Sequence, residues 1–301
     1  MNVFGKSGQH VGDNSSAIQV SGNVTFGTTV NEVINICSLI VKAEMASLRA
    51  DAFQIANERA KEFGNQIASK LSTQLDERLK QKLADPDIQY SINQAVTQVA
   101  RKGFNEKSEL LKELIITKIE TDDENVNILL DQALELTPKL TTNEIKFLSL
   151  IYYLRNVTKT ANDINITEIA ASNNTPPAEV NLTLEAIHLL LKEHYANYHL
   201  DYIKFLGEPS SIKSVNKDYL SMKGVVFSDK TYKLTYEQLL ASRIGVESFK
   251  DADEFFKTFP ALKLILDSFN ASDLERFNMT VVNPIGSLIS ENYLRACGFL
   301  S

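Results

Sequence analysis

The sequence predicts an α+β protein that is mainly α, with a short N-terminal β segment, a helical body and a C-terminal α+β domain of winged-helix outline. Three observations carry this. Apolar residues alternate at period two between Ile18 and Phe26. Long apolar stripes at helical spacing, opened by capping signals, run from about residue 30 to 137. After Pro138, helical stretches alternate with short strand-like runs. The expected parts are residues 1–29, 30–137 and 138–301.

The opening segment is rich in Gly, Ser and Asn. Within it Ile18, Val20, Val24 and Phe26 alternate with polar residues, and Ser21-Gly22-Asn23 is turn chemistry. Two strands this short do not stand alone in water. They need partners, and copies of the same segment in other subunits supply them. Ile18, Val20, Val24 and Phe26 are expected to face the inside of an inter-subunit sheet or small barrel. Gln19 faces out, and Asn23 sits at the turn.

Thr29-Val30-Asn31-Glu32 reads as a capping box. From there to Leu83 there is no proline, and the stripe Ala52, Ala56, Ala60, Phe63, Ile67, Leu71, Leu75, Leu79, Leu83 recurs about every 3.9 residues. A break is expected near Gly64. Asp85 and Pro86 restart a helix as N-cap and first residue. It ends at Arg101-Lys102-Gly103, with cations and a glycine at its C-terminus. Two further helices carry Leu110 to Ile119 and Val126 to Leu136. Thr141-Thr142-Asn143-Glu144 is a second capping box, opening the apolar run Ile145 to Leu154. Beyond it, helices are expected at 176–196, 235–241 and 251–268, and strands at 201–206, 224–227 and 279–282. Asn283-Pro284 starts a last helix that ends at Cys297-Gly298.

Composition bounds the chemistry. The 301 residues are 44% hydrophobic and 23% charged, enough for a core without staples. Cys37 and Cys297 are the only cysteines, both in apolar helical contexts, which fits reduced thiols in a cytoplasmic protein. The N-terminus lacks the pattern of a secretory signal, and no apolar stretch has the length of a membrane span. Residues 31–120 balance in charge, whereas 121–301 carry 17 basic and 24 acidic residues. General attraction to a polyphosphate is therefore not expected.

The candidate chemistry is sparse. His188 and His194 are six residues apart, nearly opposite on a helix, so they share no metal from one face; His194, His199 and Asp201 converge only around a helix end. The glycines near Lys6 and between Gly22 and Gly27 lack the Walker sequence. No cofactor is implied. Thr167 to Val180 has the outline of a helix-turn-helix, but the would-be reading helix has no cation before Lys192. Tyr152, Tyr153, Tyr195, Tyr198 and Tyr202 form an aromatic set, read first as core and second as an interface.

Four stretches carry a resemblance: Gly12 to Gln19 with Gly22-Asn23-Val24; Asp85 to Tyr90 leading to Ala100-Arg101-Lys102-Gly103; Pro138 to Thr141 with Leu148 to Arg155; and Met279 to Gly286. In this order they resemble an uncharacterised bacterial family of sporadic occurrence. Residues 156–180 depart from it, being looser and more Asn-rich. The resemblance implies a bacterial cytoplasmic protein without an established activity. Its patchy occurrence is like that of anti-phage elements. The expected function is a non-enzymatic, homo-oligomeric interaction or sensor protein whose partners are itself and another protein. A transcription regulator using residues 166–195 is the first alternative, and an enzyme with an unrecognised site is the second.

Overall fold

The computed structural model describes residues 30–71, 81–158, 184–230 and 234–300. The expected strands with Ile18, Gln19, Val20, Asn23, Val24 and Phe26, the Thr29 cap and the helix-turn-helix outline lie outside these residues. The architecture is mainly helical with one two-stranded antiparallel sheet, as the sequence predicts. No described helix is long and apolar enough to cross a membrane. By contacts the chain forms two compact units.

The first unit runs to Ser108 and includes Lys118–Glu120. It holds α1 (Val30–Glu44), α2 (Ala50–Leu71) and α3 (Pro86–Lys102), which pack on one another. Val33, Cys37 and Val41 of α1 are buried with Ala60, Phe63 and Ile67 of α2 and Ile92, Val96 and Val99 of α3. The chain breaks at residues 45–49, not at Gly64, which sits inside α2. Gly64 instead allows close approach. A Cβ there would lie 3.1 Å from both Cys37 Sγ and Ile34 Cα, tighter than helices ordinarily pack. The start of α3 forms as its sequence requires: Asp85 accepts from the Asp87 amide at 2.8 Å, and Pro86 opens the helix. The Asp87 carboxylate pairs with the fully buried Lys118 ammonium at 2.7 Å. A buried ammonium without such a partner is costly, so the Asp-Pro-Asp start serves both as cap and as counter-charge.

The second unit comprises Glu109–Thr117 and Thr121–Ser301. Residues 109–117 belong to α4 (Glu106–Glu120), followed by α5 (Glu124–Leu136). Its spine is α6 (Thr142–Asn156). The Thr141–Glu144 capping box is present in both directions. Every residue of α6 from Glu144 to Leu154 except Tyr152 is buried. A helix hydrophobic on all sides must be enclosed by other elements. The last helix, α14 (Pro284–Ala296), packs on α6 and on α5.

Around this spine lie α7 (Leu184–Ala196), α8 (Asp201–Leu206), α9 (Lys217–Met222), β1 (Val226–Ser228), α10 (Tyr236–Arg243), α11 (Ala252–Thr258), α12 (Pro260–Ser268), α13 (Leu274–Asn278) and β2 (Thr280–Val282). Two expectations are corrected. Residues 201–206 form a helix, not a strand, because Tyr202, Phe205 and Leu206 are its buried apolar residues, a spacing of three and four. The expected helix 251–268 is two helices. Pro260 offers no N–H and holds Phe259 at φ −122°, ψ 67°, outside helical geometry. The expected strands 224–227 and 279–282 correspond to β1 and β2, paired with Val226 opposite Val282 and Ser228 opposite Thr280.

The segment Met279–Gly286 has a clear structural rationale. Asn283 Oδ1 accepts from the Gly286 amide at 2.8 Å, and Pro284 opens α14. The Asn283 amide donates to Val225 O at 3.2 Å and its side chain to Gly224 O at 2.6 Å. Gly286 is pressed so closely on Val225 that any Cβ would collide with its carbonyl oxygen. Gly286→Ala is therefore expected to cost about 2–4 kcal/mol of stability through forced backbone movement. Ser287→Ala, at the half-buried neighbour, is expected to cost well under half as much. Thermal unfolding of the two variants checks this.

Candidate functional site

Two polar assemblies occur in the second unit. The first is buried. Tyr153 of α6, His194 of α7 and Asp201 of α8 meet at one carboxylate oxygen: Tyr153 OH donates to Asp201 Oδ2 at 2.9 Å, and His194 Nε2 lies 2.6 Å from the same atom. So short a contact to a carboxylate oxygen puts a proton on Nε2. Each of the three residues is at most 5% exposed. Burial, and next the charges of Tyr195 and Asp201, push the Tyr153 hydroxyl well above the ordinary tyrosine range. Tyr195 OH accepts from Arg243 at 3.1 Å. Rings of Tyr153, Tyr195, Tyr202 and Phe205 pack at centroid distances of 5.4–6.4 Å. Tyr153, Tyr195, Tyr198 and Tyr202 are thus core, whereas Tyr152 is half-buried, and the cluster staples three helices.

Among the described histidines only His194 joins Asp201. His188 lies against Gly245, and His199 is exposed. Among the described residues no group of three His, Cys, Asp or Glu is placed to hold a metal ion. Cys37 is fully buried, and burial pushes its thiol up to about 12, which removes it as a nucleophile at neutral pH. Glu185, Lys192 and Glu193 fall in or beside the exposed and half-buried faces of α7, with Leu184 and Leu189 strongly exposed between them.

The second assembly is an open cleft of about 700 Å³. Its floor includes β1 and β2. One wall is the segment Ser214–Ser221, the other Asn270–Arg276. Both walls are anchored to the spine. At the N-terminal end of α6, Asn143 Oδ1 accepts from the Lys213 amide at 2.8 Å, and the buried Glu144 carboxylate pairs with Lys223 Nζ at 2.7 and 2.8 Å. At its C-terminal end, Arg155 donates to Asn278 O at 3.1 Å, to Leu234 O at 3.0 Å and to Tyr236 OH at 3.0 Å. Its guanidinium also lies 4.2 Å over the Tyr236 ring, which stacks on Phe277 of α13. The walls close on each other through the Val215 amide, which donates to Phe269 O at 3.1 Å.

Lys217 and Arg276 line the cleft with Asp218 and Asp273. Asp273 is the N-cap of α13, accepting from the Arg276 amide. Among the described residues neither cation makes an ion pair. Burial first, and then the positive charge of Arg276, hold the Lys217 ammonium below the ordinary lysine range; Asp273 and Asp218 offset this only partly.

One family model matches residues 27–255, about three quarters of the chain. The chain belongs to that family. It is an uncharacterised family, so membership assigns no activity. The match takes in all of α1 to α10 and ends within α11, so it includes the Ser214–Ser228 side of the cleft and stops before Asn270–Thr280. No curated protein matches the chain, and no solved structure matches it.

The expected strands 224–227 and 279–282 supply part of the cleft floor, but its charged residues Lys217, Asp218, Asp273 and Arg276 carry no local motif and come together only on folding. For the buried cluster, a signal was present in the approach of His194 and Asp201 around a helix end. Asp201→Ala is expected to lower stability by about 2–4 kcal/mol, since it strands two buried polar partners. Tyr153→Phe, which removes a single donor, is expected to cost about 1–2 kcal/mol. Urea unfolding of both variants gives the order.

Proposed function

We propose that this chain is a non-enzymatic, homo-oligomeric interaction and sensor protein of the bacterial cytoplasm. In this reading residues 1–29 join subunits through Ile18, Val20, Val24 and Phe26, with Gln19 outward and Asn23 at the turn. The C-terminal unit presents the sensing surface. The observation that carries it is the contrast between the two polar assemblies. The His194–Asp201 pair, whose chemistry would suit catalysis, is buried and saturated by its own neighbours. Lys217 and Arg276 instead line an open cleft and make no ion pair among the described residues. An open cleft lined by charged side chains of both signs is suited to binding. Its partners are further copies of itself and a second protein. A role in anti-phage or stress defence suits a self-assembling sensor, and two free thiols suit a reducing compartment.

Light scattering on the full chain tests the assembly. The expected mass is a whole multiple, above one, of 33.6 kDa. Changing Ile18 and Val20 together to Asp is expected to split it while helical content stays, since charge enters the shared interior. A monomer from the unaltered chain, or an assembly of unaltered size from the double variant, would overturn this reading of the N-terminal segment.

A further inference from the structure

We propose that the cleft between Ser214–Ser221 and Asn270–Arg276 binds a nucleotide-sized phosphate monoester, with Lys217 and Arg276 holding its phosphate. This deepens the sensor reading above and rests on it.

Lys217 is half-buried in a pocket it shares with Arg276, and neither has an ion pair among the described residues. A half-buried ammonium beside a second, exposed cation disfavours the folded state, and Asp273 and Asp218 offset this only in part. The ammonium's depressed proton affinity records that cost. The sign is explicit: a lysine whose folded value lies below its unfolded one weakens the fold at neutral pH, and this penalty lifts only as pH rises past the folded value. Such an arrangement serves a ligand that brings negative charge. A phosphate does so with a geometry that matches the guanidinium fork of Arg276 and the point charge of Lys217.

Size and the remaining lining specify more. About 700 Å³ far exceeds a bare phosphate and falls in the range of drug-sized ligands. Phe227, 43% exposed on β1, offers a ring face within the lining. Asp218 has acceptor capacity for hydroxyl or amino donors, as a sugar or base would present. The lining therefore meets a phosphate, a donor-bearing middle and a flat ring.

Isothermal titration of the full-length protein with AMP, ribose 5-phosphate, inorganic phosphate and adenosine tests this. AMP is expected to bind tightest, the two smaller phosphates more weakly, and adenosine at least about tenfold weaker than AMP. Lys217→Met and Arg276→Ala are each expected to weaken AMP about tenfold or more. Lys217→Met is expected to melt no lower than the unaltered protein, because it removes a strained charge. That result separates a binding lysine from a structural one and does not depend on how Arg276→Ala folds. Equal affinity for AMP and adenosine, unaltered AMP affinity in Lys217→Met, or no binding by any phosphate probe would overturn the proposal. If phosphates fail to bind an oligomeric chain, the ligand class falls and the assembly reading stands. If AMP binds a monomeric chain, the reverse holds.

Discussion

The second unit depends on one constraint: α6 is buried on every face and has to be enclosed. From Glu144 to Leu154 only Tyr152 escapes burial. The hydrophobic effect thus drives helices and strand to all sides of one rod. Packing alone would leave their positions loosely specified, since apolar contact is non-directional. Direction comes from polar groups that α6 carries near its two ends and at one inward site.

Those groups divide the work. Tyr153 faces inward and gathers α7 and α8 at the Asp201 carboxylate. Asn143 and Glu144 reach the segment that leads to and follows α9. Arg155 reaches Asn278 and Leu234, carbonyls that would otherwise lack this partner so near the end of α13 and the start of α10. The two walls of the cleft are therefore fixed from opposite ends of the same helix. A cleft held this way keeps two cations in place that would relax apart on mobile loops. Preorganisation of that kind is what binding requires, since ordering costs are met at folding and not at association.

Much of the local structure was legible in the sequence because it is written locally. Asp85-Pro86, Thr141–Glu144 and Asn283-Pro284 cap helices as their residue types demand. The mainly α, α+β class followed from apolar spacing. The errors have physical causes. Asp201–Leu206 offered Ile203 and Phe205 at period two, and the contacts made by Tyr202, Phe205 and Leu206 with the aromatic core decided for helix. Pro260 was passed over inside an apolar run, though its missing N–H ends α11. Gly64 looked like a breaker, but it serves close packing on Cys37. Beyond the two strands of its floor, the cleft left no sequence signal. Its organising contacts span 79 and 123 residues, as in Lys223 to Glu144 and Arg155 to Asn278, and only folding brings such groups together.

The polar ends of α6 hold both cleft walls. Amide hydrogen exchange on Arg155→Ala tests it most directly, because the substitution removes the C-terminal anchor and leaves the apolar rod intact. The account predicts faster exchange in residues 234–243 and 274–282, with the amides of 145–154 as slow as before. Unaltered exchange in 274–282 would contradict it.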